Sequence, residues 1–218
     1  MRPVVVRSAQ LIEGQSEPGR GKLLDIGSGY GFFLQEMKRR GWQVEGIEVS
    51  PAGRRYAQDR WGIHVYSQPL EDIGFPRNAF DVITLVYVVE HVHDPLALLR
   101  EVHRVLKPGG LVLLRWPHST PIVRVLGPLS RNLDLYHTPY HLYDFSPRTM
   151  KRILNLSGFE DIQTRVGGHT LPHEVPARWC SVFFSLLGEA LSFLTLGHVL
   201  LPGISKTTTA VSPRRKAK

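Results

Sequence analysis

A three-layer α/β fold built on a parallel sheet is what the sequence of this 218-residue chain predicts, on three observations. Short apolar runs such as "LLDI" and "LVLLRW" lack polar alternation, the mark of strands buried on both faces. They alternate with segments whose apolar residues recur at helical spacing, as βαβ units require. A glycine-rich turn, "GSGYG" at residues 27–31, leaves the first of these runs. Three glycines at alternate positions there imply that backbone approaches another group closely.

Each element has its own signal. Residues 3–13 read as a leading helix, 23–26 as a buried strand, and 32–40 as a helix ended by Gly41. A second strand spans 44–48. Ser50 and Pro51 then provide the N-cap and first residue of the next helix. A weak strand covers 64–66 and a strong one 81–86. Asp94 and Pro95 open a helix whose stripe is Leu96, Leu99, Val102 and Leu106, stopped by "KPGG". Residues 111–116 form the next strand, and 117–145, rich in Pro, His and Tyr, an irregular loop on the acceptor side. Ser146 and Pro147 start a helix that Gly158 ends, 159–166 resembles a strand, and "KTTTAVS" reads as a final edge strand.

Composition bounds the possibilities. A chain of this length buries roughly 70% of its unfolded surface and fits a single domain over 1–218. The single cysteine, Cys180, excludes an internal disulfide and agrees with a reducing, cytoplasmic setting. No charged-then-apolar leader opens the sequence, so no signal peptide is expected. Net charge is +8, but Lys206, Arg214, Arg215, Lys216 and Lys218 contribute five of it, leaving +3 for the rest. The excess therefore reads as a solvated basic tail, centred on 213–218, and not as the basic face that nucleic acid requires.

A glycine turn at the carboxyl end of a first strand lies where doubly wound sheets bind ligands. Glu48 ends the second strand, 19 residues beyond Gly29, where its carboxylate can accept hydrogen bonds from two ribose hydroxyls. A dinucleotide or an adenosyl group would suit that geometry. The dinucleotide pattern G-x-G-x-x-G wants a third glycine where this chain has Phe32, and the pattern here is G-x-G-x-G preceded by Asp25.

With "LLDIGSGYGFFL", "GIEVSP", "FDVITLVYVVEHVHDP", "EVHRVLKPGGLVLL" and "HLYDFSPRTMKRILNLSGFE" in place, the sequence resembles the class I S-adenosylmethionine-dependent methyltransferases. The subgroup it looks most like is the ubiquinone-biosynthesis-type O-methyltransferases and relatives of unknown substrate. The resemblance implies a seven-stranded Rossmann-like sheet in the order 3-2-1-4-5-7-6 with strand 7 antiparallel, and S-adenosylmethionine as the methyl donor. It also implies that Gly27, Gly29 and Gly31 line the donor's methionine part and that Asp25 orients this loop or reaches its amino group. Glu48 would hold the ribose, Leu70 and Glu71 would contact the adenine, and Val86 would lie near the sulfur. Arg7 stands where the subgroup carries an arginine near the donor.

Transfer to a hydroxyl needs a place for its proton, which histidine provides at neutral pH. His91, His118, His137 and His141 fall on the acceptor side, with His141 in "YHLYDFS" and His91 the preferred pair. Tyr136, Tyr140 and Tyr143 between them suggest an amphipathic small-molecule acceptor. In the subgroup, two glutamates and a histidine are associated with a divalent metal. Here Glu90 and His91 are present, but Tyr87 replaces the first glutamate, and phenol is a poor ligand for hard cations. No metal is therefore expected. The principal alternative is a catalytically inactive module that holds the donor.

Residues 177–203 form a hydrophobic insertion, and 181–201 read as a helix. Ser181, Ser185, Gly188, Glu189, Ser192 and Thr195 make one polar stripe along it. Placing Glu189 at a bilayer centre would cost several kcal/mol, so a lid over the acceptor pocket or a peripheral membrane contact is expected in place of a span.

Overall fold

The computed structural model describes residues 2–16, 21–119, 139–166, 190, 194–195 and 205–214. Helix α1, Arg2–Glu13, precedes the repeating units: β1 Lys22–Ile26, α2 Phe32–Arg39, β2 Gln43–Ile47, α3 Pro51–Trp61 and β3 Val65–Tyr66. The chain continues with α4 Leu70–Ile73, β4 Phe80–Val86, α5 Pro95–Val105 and β5 Leu106–Trp116. It closes with α6 Pro147–Leu156, β6 Glu160–Val166 and β7 Lys206–Val211. The sheet order is β3-β2-β1-β4-β5-β7-β6. The first five strands pair in parallel, and β7 runs antiparallel to both β5 and β6.

Strand alternation builds the three layers. Leu23, Val82, Leu111 and Leu113 face α1 and α2 through Ile12, Phe33, Leu34 and Met37. Leu24, Ile83, Leu85, Val112 and Leu114 face the other way, against Leu70, Leu99, Val102, Met150 and Leu154 of α4 to α6. Because successive side chains in a strand point to opposite faces, a continuous apolar run is what such a sheet needs. The N-caps fall where expected. Ser50 accepts from the Gly53 amide, Asp94 from Ala97 and Ser146 from Thr149.

Several expectations need correction, and one element is new. The stripe of α5 is Leu99, Val102 and Val105, because the backbone is already extended at Leu106, which belongs to β5. "KPGG" thus lies inside a strand that begins earlier than expected, its Gly109 amide bonded to Ser212. Helix α4 was not foreseen, since four residues hold no period to detect. "KTTTAV" is an interior strand and not an edge: Lys206 to Ala210 are buried, and β6 takes the edge. Lys206 consequently leaves the solvated tail. Burial pushes its ammonium down to about 8, partly offset by the Asp144 carboxylate.

Candidate active site

A cleft of about 800 Å³ opens at the carboxyl ends of the parallel strands. Gly27, Glu48, Leu70, Glu71 and His91 line it, joined by Tyr87, Val88, His93 and Asp94 from the segment after β4. β1 and β4 are paired neighbours, but the chain leaves them toward helices on opposite faces, α2 and α5, and the crevice between these exits is the position at which α/β sheets bind ligands.

The glycines of the first turn do different jobs. A Cβ on Gly27 would overlap the Val88 side chain, so the close neighbour there is the protein itself. Gly29 has φ +53°, and a Cβ there would meet nothing within 4 Å. Its requirement is conformational, and the space over it is open. Gly31 forms the N-cap of α2 and packs on Ala57 of α3.

Glu48, half-buried just beyond β2, fixes the rim of this turn. Its Oε2 accepts from the Gly29 amide at 2.7 Å and its Oε1 from the Ser50 amide at 2.8 Å. Each carboxylate oxygen retains further acceptor capacity toward the cleft. Arg54 donates to the Glu48 and Val49 carbonyls at 2.8 and 2.7 Å, holding the strand end in place.

Asp25 lies beneath the turn. It is buried, and its Oδ1 accepts from Thr84 Oγ1 at 2.5 Å, the two being register partners across β1 and β4. Burial raises its pKa to about 7; the Thr84 bond opposes this and the Glu48 charge adds to it. An unfolded aspartate releases its proton near 3.8, so between about pH 4 and 7 the folded state binds more protons than the unfolded one. Stability must therefore fall as pH rises through that window. Asp25→Asn should remove this residue's share of the slope, leaving that of Glu90, the other buried carboxylate raised to about 7, and exceed the parent's stability above pH 7 by on the order of 2–4 kcal/mol. Urea unfolding of both proteins at several pH values checks this, and a parent with pH-independent stability would refute the assignment.

The segment after β4 carries the second half of the site. Tyr87 has φ +57°, and its hydroxyl is 2.7 Å from Ser205 Oγ and accepts from Arg115 Nε at 2.9 Å. Glu90 is fully buried, with both carboxylate oxygens lacking a hydrogen-bond partner among the described residues. Burial pushes it up to about 7, against the pull of its own backbone amide and of His91. His91 and His141 meet edge to face with ring centroids 4.8 Å apart, and His91 Nδ1 lies 2.8 Å from the Tyr140 carbonyl. The Leu142 and Tyr143 amides donate to the Glu90 carbonyl at 2.8 and 3.3 Å, tying the loop that carries His141 to this turn.

Other expected residues stand apart from the cleft lining. Val86 ends β4, half-buried and paired with Arg115. Arg7 is exposed on α1. His118, half-buried beside Trp116, has its pKa lowered by burial and by Lys206, with Asp144 opposing. His137, Tyr136 and Cys180 lie outside the described residues, as do all of 181–201 except Ala190, Leu194 and Thr195. No helix among the described residues is long and apolar enough to cross a membrane. Sequence reasoning passed over the Tyr87–Arg115–Ser205 contact, whose only linear hint was an arginine inside the apolar run "LVLLRW".

A glycine turn under open space, a carboxylate just beyond the second strand and His91, which meets His141, come together at this one cleft. A family profile described as a methyltransferase domain matches residues 6–164, and the chain belongs to this family. Among curated proteins it is similar to the ubiquinone biosynthesis O-methyltransferase of Ruegeria pomeroyi, 31% identical over 166 residues, covering 70% of this chain and 65% of that one. The chain spans between about half and two thirds of the length of the curated relatives it matches. A SAM-dependent methyltransferase from Archaeoglobus fulgidus shares the fold at TM-score 0.67 and 20% identity, with 97% of this chain and 94% of that chain covered. So does Haemonchus contortus phosphoethanolamine N-methyltransferase 2 in complex with S-adenosyl-L-methionine, at TM-score 0.64 and 18% identity, covering 95% and 53%.

Proposed function

We propose that this chain transfers a methyl group from S-adenosylmethionine to a hydroxyl oxygen of a small, amphipathic acceptor. The observation that carries this reading is the placement of Glu48 and the open Gly29 turn on one side of a single cleft and His91 on the other. The donor, when bound, supplies an electrophilic methyl on its sulfonium. Glu48 is the ribose acceptor, the open space over Gly29 takes the methionine part alongside Gly27 in the cleft wall, and Leu70 and Glu71 flank the adenine. Holding acceptor oxygen and methyl carbon in line is the largest service such a protein performs.

The acceptor's lone pair forms the O–CH3 bond as the C–S pair returns to sulfur, leaving S-adenosylhomocysteine. The hydroxyl proton must leave as well, and the His91–His141 pair supports its removal. Exposed Tyr140, Leu142 and Tyr143 beside that pair suit an acceptor with an apolar body and a polar reacting end. O-methyltransferase relatives at 31% identity favour oxygen as the nucleophile.

Incubating the protein with methyl-labelled S-adenosylmethionine and hydroxylated candidate acceptors tests this by mass spectrometry. One label per acceptor, matched by S-adenosylhomocysteine, is expected. Donor binding without label transfer to any acceptor would favour a module that only holds the donor, the reading that the Tyr87 substitution supports.

A further inference from the structure

Four aromatic rings form a partly exposed ledge beside the glycine turn, and the methyl-transfer reading makes no use of it. Tyr30, Phe32, Tyr56 and Trp61 meet tilted or edge to face, with ring centroids between 5.3 and 6.4 Å apart. Tyr30, Phe32 and Tyr56 are 51, 44 and 39% exposed. A single apolar side chain at a surface is ordinary, but a contiguous patch of rings marks a contact surface. The ledge is held in shape from beneath. Trp61 Nε1 donates to the Tyr30 carbonyl at 3.1 Å, and Gly31 packs on Ala57 of α3. We propose that this ledge is a dimer interface, covered by the same ledge of a second copy across a two-fold axis, with the two α3 helices antiparallel.

Charge selects the occupant. Arg55, Asp59 and Arg60 are exposed on α3 around Tyr56, and Arg60 lies over the Trp61 ring, 5.5 Å from its centroid. Arg55 and Asp59 stand one helical turn apart, yet neither has an ion-pair or hydrogen-bond partner among the described residues. A cation N-terminal to an anion at this spacing is the weaker arrangement within a helix, which leaves both charges available to a partner. Two-fold symmetry makes every contact occur twice. In an antiparallel crossing about the Tyr56 turn, Asp59 of each copy faces Arg55 of the other, so two ion pairs flank an aromatic centre. An anionic membrane or an acidic partner would suit the arginines and be repelled by Asp59. The ledge itself carries both signs in the order that an antiparallel copy requires.

Composition and size agree with this occupant. Tyr, Trp, Phe and Arg are the residues enriched where proteins meet, with rings at the centre and charges at the rim. Three half-open rings and a short charged rim make a small interface, so the dimer should dissociate in the micromolar range.

Sedimentation velocity on the whole chain, without donor or acceptor, tests this, and its failure leaves the methyl-transfer reading standing. A monomer–dimer equilibrium is expected, with dimer dominant at on the order of 100 μM. Tyr56→Ser should weaken it by about tenfold or more. Asp59→Arg and Arg55→Asp each set like charges face to face and should weaken it by a similar factor. The double exchange Arg55→Asp with Asp59→Arg restores opposite charges across the axis and should recover dimerisation, which a variant damaged in its fold could not do. Circular dichroism checks the fold of each variant. A chain that stays monomeric at that concentration, a dimer indifferent to Asp59→Arg, or a double exchange that fails to recover it would each overturn the proposal. So would a monomer that floats with anionic phospholipid vesicles and loses this with Tyr56→Ser, which would assign the ledge to a membrane.

Discussion

Replacing Glu48 by alanine is expected to raise the dissociation constant for S-adenosylmethionine by roughly tenfold to a hundredfold. Hydrogen bonds to a charged acceptor contribute about 1.5–3 kcal/mol each, and about 1.4 kcal/mol is a factor of ten. Two losses combine in this variant. The ribose acceptor goes, and so do the bonds from Gly29 and Ser50 at 2.7 and 2.8 Å that hold the turn beside the strand end. Glu48→Gln separates them, because the amide keeps one carbonyl oxygen as an anchor while losing the charge. Its binding should fall between parent and alanine variant. Calorimetric titration decides, and an unchanged constant for Glu48→Ala would remove this residue from the donor site.

His141→Gln and His91→Gln are expected to keep donor affinity while losing turnover, by about a hundredfold or more for whichever ring manages the proton. The two rings touch edge to face at 4.8 Å, so they act as a unit. The double variant should then cost little more than the worse single one, as coupled groups do. Steady-state kinetics on the acceptor identified by label transfer, alongside donor titrations, measures both quantities. Normal turnover by both single variants would take the imidazoles out of the chemistry.

How far the site could be read in the sequence depends on distance along the chain. Asp25, the three glycines and Glu48 sit within two dozen residues of one another, on one β–turn–α–β stretch whose geometry local rules dictate. That half was legible as a pattern before any coordinates. The acceptor half was legible only as a list of histidines. Nothing in "YHLYDFS" says that its histidine meets His91, 50 residues upstream, because the meeting depends on amides of Leu142 and Tyr143 finding the Glu90 carbonyl.

The sequence by itself determined the layered α/β class, the helix caps at Ser50, Asp94 and Ser146, and the glycine turn after β1, because propensity, periodicity and glycine stereochemistry act within a few residues. Only the tertiary structure decided that "KTTTAV" lies inside the sheet, that Lys206 and Arg115 are buried cations, and that Glu90 loses its water beside two imidazoles. Those facts rest on which strand pairs with which and on what covers a given carboxylate. Pairing and desolvation belong to the assembled sheet, since a residue's exposure is set by neighbours that arrive from remote parts of the chain.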